Sequence, residues 1–175
     1  MTEYWNNLCA FLPSIPMPPN PPQPDFQGLG AQQVNLIAHL AGWPVRINVF
    51  TQPGIQNAMA TGNTPWFGDE VVIYDPIFME GLRQRYGLSA PFGVLAHEVG
   101  HIVRGVLVPG WMPDWSDEMR ADHFAGFVLA RHGLDLQPLQ RCIMELMARP
   151  GYRHPDGRTR AAVVRGGYIE GGGIA

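Results

Sequence analysis

The chain contains no lysine, and all of its basic residues are arginine. Charged residues make up only 15% of its 175 positions, and the formal net charge is −3. It therefore lacks the basic excess that a dedicated nucleic-acid binder uses to neutralise phosphates. Cysteine is nearly absent: Cys9 and Cys142 stand at opposite ends of the chain. Neither has a second cysteine or a histidine at ligand spacing, which favours two free thiols over the one possible disulfide. No window approaches the ~20 apolar residues of a membrane span. The start, Met1 to Asn7, carries neither a basic region nor a long apolar run, so no secretory leader is expected. The expected location is the cytoplasm.

The length fits one domain with a modest core, and a hydrophobic fraction of 46% is ordinary for a globular protein. Proline is concentrated: seven fall between Leu12 and Asp25. Proline fixes φ and removes a donor, so this stretch is expected to run extended. Two readings compete for it. Pro13-Ser14-Ile15-Pro16 fits a partner ligand, whereas the flanking Trp5, Phe11 and Phe26 suit an arm laid across the domain. The expected organisation is an arm over residues 1–28, one domain over 29–170 and a frayed glycine-rich tail over 171–175.

Periodicity within the domain reads as α+β. A short amphipathic helix is predicted over Gln32–Leu40 and a half-buried strand over Val45–Phe50. Gln56–Phe67, rich in Gly, Asn, Thr and Pro, reads as a loop. Val71-Val72-Ile73-Tyr74 reads as a second strand. Pro76 fits the first turn of a helix that ends at Tyr86 before Gly87. Three longer helices are predicted near Ala90–Val106, Asp117–His132 (with Ser116 as N-cap) and Leu136–Ala148, and a last short one begins at Pro155.

The chemistry concentrates at His97-Glu98-Val99-Gly100-His101. Two histidines four apart share one helical face and can chelate one Zn2+. Glu98, beside His97, can take a proton from a metal-activated water without being a ligand. Val94, Leu95, Val99, Ile102 and Val103 make the remaining faces apolar, and inward-facing polar groups on such a helix are costly without a metal. Glu118 and Asp122 repeat the four-residue spacing. Glu118 is the expected third ligand. Asp122 is suited to receive the N–H of a ligating histidine. His123 and Asp114 are weaker ligand candidates.

With these residues in place, the sequence resembles the gluzincin metallopeptidases of the HtpX and CAAX-prenyl-protease type, and in particular their minimal relatives, the minigluzincins. Asn57-Ala58-Met59-Ala60-Thr61-Gly62 resembles the family's Asn-Ala-Phe-Ala-Thr-Gly segment. Val71 to Tyr74 resembles the edge strand after it, Val94 to His101 the zinc helix, and Glu118-Met119-Arg120-Ala121-Asp122 the Glu-x-x-Ala-Asp helix. His154-Pro155 with Arg160 resembles the family's late His-Pro…Arg element. The likeness covers roughly residues 55 to 165.

The resemblance implies a zincin-like domain, a small mixed or antiparallel sheet packed on a helical bundle that carries the zinc helix. It implies one Zn2+ on His97, His101 and Glu118, with Asp122 behind them and Glu98 as general base. It also implies His154 at the oxyanion, supported by Arg160. The activity implied is metalloendopeptidase action on a peptide or protein laid against Val71, Val72, Ile73 and Tyr74 as an added strand. Two other readings are open. One is a silent or latent zinc-binding protein of the same fold, whose arm or Trp111-Met112-Pro113-Asp114-Trp115 stretch covers the cleft or docks a partner. The other is a structural zinc site, which needs a fourth protein ligand.

Overall fold

The computed structural model describes residues 9–10, 20–44, 46–64, 68–103, 117–149 and 155–175. In chain order these residues form β1 (Cys9–Ala10), β2 (Gln23–Pro24), α1 (Leu29–Leu40), β3 (Asn48–Thr51), β4 (Ala58–Thr64), β5 (Gly68–Tyr74), α2 (Pro76–Tyr86), α3 (Ser89–Ile102), α4 (Asp117–Arg131), α5 (Gln137–Leu146) and α6 (Gly157–Glu170). The α+β class expected from the pattern is what is found. The five strands make one mixed sheet in the order β1-β4-β5-β3-β2. β3 and β5 are parallel, and the other pairs are antiparallel.

Local chemistry explains most boundaries. Val34, Ile37 and Ala38 bury one stripe of α1. Ile47 and Val49 are buried while Asn48 is exposed, the alternation of a half-buried strand. α2 begins at Pro76 because the Asp75 carboxylate caps it, accepting from the N–H groups of Ile77 at 2.9 Å and Phe78 at 3.3 Å. The other Asp75 oxygen accepts from the N–H groups of Gly54 and Gln56, tying the loop before β4 to the same residue. Gly87, at φ 110°, ends α2 in a conformation that favours glycine.

α3 lies at the centre. Every residue from Ser89 to Val99 is buried. The main core gathers α1 to α6 around it and takes Val72 and Tyr74 from one face of β5. Val71 and Ile73 point to the other face and pack with Ile55 and Met59. Burial of both faces makes β5 an unbroken apolar run.

Several expectations need correction. The predicted loop over Gln56–Phe67 holds β4: its small polar residues pair with β5 from Ala58↔Tyr74 to Thr64↔Gly68. Val71–Tyr74 is accordingly no edge strand. β4 flanks it on one side and β3 on the other, so both rows of its backbone groups are taken and no substrate can add there. The last helix is longer than expected, running 14 residues to Glu170. The glycine-rich end folds back on it, with the Gly172 and Gly173 N–H groups donating to Ile169 and Tyr168. The proposed N-cap Ser116 lies outside the described residues.

Candidate metal centre

Three helices meet at the site. α3 and α4 approach closely at Gly100, where a Cβ would stand 2.9 Å from the Ala121 Cα. α4 and α6 touch backbone to backbone: a Cβ at Gly126 would collide with the Val164 carbonyl oxygen, and one at Gly167 with that of His123. These contacts bring short and long side chains from distant parts of the chain to one point.

His97 and His101 from α3 and Glu118 from α4 form a compact donor set whose ligand atoms lie within 4.8 Å of one another. His97 Nε2 is 3.1 Å from His101 Nε2 and 3.4 Å from Glu118 Oε2. His101 Nε2 is 3.6 Å from Glu118 Oε1. An ion bound tetrahedrally at ~2.0–2.1 Å separates its donor atoms by ~3.3–3.4 Å, so the triangle has the size that such an ion requires.

The support behind the triangle is equally specific. His97 Nδ1 is 2.9 Å from Asp122 Oδ1. With the proton on Nδ1, the Nε2 lone pair is aimed at the other two donors. Asp122 is held in turn by Arg160, whose Nε donates to Oδ2 at 2.7 Å and whose terminal nitrogen donates to Oδ1 at 2.8 Å. The same guanidinium nitrogen is 3.6 Å from Glu118 Oε2.

Glu98 differs from these residues. It is fully buried, and among the described residues no side chain hydrogen-bonds either carboxylate oxygen, the Ala60 backbone N–H standing only near enough to act weakly. Burial, opposed by the charge of His97 and assisted by that of Glu118, pushes its pKa up to about 8. The Ala60 backbone N–H of β4 favours its ionised form more weakly. At His97 burial alone would lower the pKa, but hydrogen bonds to Asp122 and Glu118 outweigh it and raise the value to about 9. Burial of Asp122 is overcome by the charge of Arg160 and the His97 hydrogen bond, so its carboxyl is held below the usual range.

Charge balance points the same way. Glu98, Glu118 and Asp122 are three buried carboxylates facing one buried guanidinium, Arg160. Near neutral pH Arg160 and a protonated His97 offset Asp122 and Glu118 while Glu98 holds its proton, and a divalent cation can take the place of the protons on His97 and Glu98. The donor chemistry, the donor spacing and the buried Glu98 thus all fit a metal ion.

The structure brings together His97, Glu98, His101, Glu118, Asp122 and Arg160. Arg160 is fully buried and bonded to Asp122, while His154, which it was expected to support, lies outside the described residues. The work of Arg160 is to hold Asp122. His123 is 3.1 Å from Glu170 and takes no part in the donor set. His154, Asp114 and the Trp111–Trp115 stretch lie outside the described residues. Sequence reasoning missed the Ala60 N–H beside Glu98 and the Met147 sulfur, 2.7 Å from the Arg160 guanidinium. Neither carries a pattern in the chain, because both contacts are set by packing. Among the described residues no helix is long and apolar enough to cross a membrane. No protein-family model matches the chain, and no curated protein or solved structure matches it.

Proposed function

We propose that the chain is a metal-dependent peptide hydrolase of the gluzincin type, with zinc as its ion. The observation that carries this reading is the pairing of a three-donor triangle with a buried Glu98, one residue from a ligand and paired by no side chain among the described residues. A structural metal site needs only ligands. A buried carboxylate that no side chain pairs is expensive to maintain, and a proton acceptor beside the reaction centre accounts for it. Two imidazoles and one carboxylate are a donor set that suits zinc and leaves a position open for water and substrate.

When bound, the ion would supply Lewis acidity, polarising the scissile carbonyl and making a water acidic enough to attack it. His97, His101 and Glu118 hold it. Asp122 keeps His97 in the tautomer that presents Nε2, and Arg160 keeps Asp122 ionised and in place. Glu98 takes the proton of the attacking water and delivers it to the leaving amine. A carboxyl whose proton affinity lies near neutrality can do both. His154 is assigned to the oxyanion through the family resemblance alone.

The test is Glu98→Gln. The variant is expected to keep its zinc, measured by elemental analysis, and to lose hydrolysis of a peptide library by at least about a hundredfold. Undiminished hydrolysis would remove Glu98 from the reaction. A second reading, a zinc-binding protein that turns over no peptide, is favoured by the covering of both sheet margins with short N-terminal strands. Zinc binding with no chelator-sensitive cleavage under any condition would select it.

A further inference from the structure

The sheet margin nearest the metal centre is already paired. β4 borders α3, the helix that carries Glu98 and the donor histidines. On its inner side β4 pairs with β5. On its outer side it pairs with β1, antiparallel, in the register Cys9↔Ala60 and Ala10↔Met59. The strand that closes this margin therefore sits on the strand that borders the site-bearing helix. β1 also reaches α3 itself.

An extended peptide that presents its backbone to this site must use the same outer row of β4 groups, because the inner row belongs to β5. We infer that β1 is an internal occupant of the peptide position, so that a peptide binds only by displacing the N-terminal segment.

The later part of this segment is anchored: Gln52 donates to the Asn20 carbonyl at 2.7 Å, and Asp25 N–H donates to the Val49 carbonyl at 2.8 Å. The Asp25 carboxylate accepts from the Tyr74 hydroxyl at 2.8 Å and the Ala31 N–H at 3.1 Å. Gln23 and Pro24 add two paired positions to β3. Among the described residues β1 has two paired positions. A strand tethered within its own chain competes at an effective concentration of about the millimolar range, and a peptide that pairs at more positions than these two can displace it. The arm thereby sets a threshold for peptide binding without sealing the site.

The inference rests on the hydrolase reading only for the second of two readouts. In the full chain, Cys9→Pro/Ala10→Pro removes both N–H donors of β1 and fixes φ, leaving the anchored part untouched. The probe is a fluorescein-labelled peptide copying residues 5–13, with serine in place of its cysteine. It is expected to bind the double variant at least tenfold more tightly than the unaltered chain. Hydrolysis of a peptide library by zinc-loaded protein is expected to rise by a similar factor. A second form guards against misfolding of the variant: the full chain folded first, then cut at a protease site inserted between residues 13 and 14 and diluted. It is expected to behave as the variant does. Equal peptide affinity in altered and unaltered protein overturns the inference. Tighter peptide binding with no hydrolysis in any form keeps the inference and removes the hydrolase reading.

Discussion

Between α3, α4 and α6, the side chains of His97, His101, Glu118, Asp122 and Arg160 are buried against one another at 2.7 to 3.6 Å. Across the sheet the buried residues are Ile55, Met59, Val71, Val72 and Ile73, and the polar contacts there are mostly backbone ladders. The first region is a coupled set, in which each charged group is tolerable only because the next is in place. The second is built from burial that accumulates area by area. Loss of one member should therefore propagate through the helical region and stay local in the sheet.

The most severe disturbance expected is Glu118→Ala. Removing one of three donors should lower zinc affinity by more than the ~10–100-fold that loss of an outer partner costs. Competition with a chromogenic chelator measures it. A smaller loss would move the third ligand elsewhere.

Arg160→Met comes next. It leaves Asp122 buried without its cation, at a cost of about 3–5 kcal/mol in urea unfolding of the metal-free protein. Pairing it with Asp122→Leu should recover part of that loss, as expected of coupled residues. Additive losses would break the comparison, since they would mean that the helical region is as independent as the sheet.

The third expectation concerns pH. The His97 pKa is raised to about 9, so its stabilising contribution is complete below its ordinary 6.5 and is lost as pH rises through 9. The Glu98 pKa is raised to about 8, so the folded state favours the protonated acid and carries a growing penalty between its ordinary 4.5 and 8. Both act in one direction. The Tm of metal-free protein should fall between pH 6 and pH 9, and the gain in Tm on adding zinc should widen, because protons and metal compete for the same groups. A flat metal-free profile would show that the site does not store this charge.

The smallest effect is expected in the sheet region. Tyr74→Phe removes the hydroxyl that donates to Asp25 at 2.8 Å and should cost about 1 kcal/mol, with zinc affinity unchanged. A change in metal affinity there would join the two regions into one coupled unit.

Much of the site could be read along the chain because its groups sit on helices. His97 with His101, and Glu118 with Asp122, are each four apart, and local helical geometry alone puts each pair on one face. The helix from Pro76 to Tyr86 was equally open to view, with proline at its start and glycine past its end. β4 was hidden because Ala58, Ala60, Gly62 and Asn63 have low strand propensity and hold their place through pairing with neighbouring strands. Val71 to Tyr74 could be seen as a strand, but nothing in its period said which strands would lie beside it. The bond from Arg160 to Asp122 was hidden for a related reason. The sequence placed an arginine late in the chain, while the close passage of α4 and α6 at Gly126 and Gly167 decided that it would be buried against Asp122.

The sequence by itself determined the donor types, their helical spacing and the carboxylate beside them, because these depend on neighbours within one turn. Only the tertiary structure decided that the donors converge at 3.1 to 3.6 Å, that Arg160 stands behind them, and that the sheet margin beside α3 is paired by the chain's own N-terminal segment. Those are contacts between residues far apart in sequence, and their energies come from packing and desolvation, which no local pattern records.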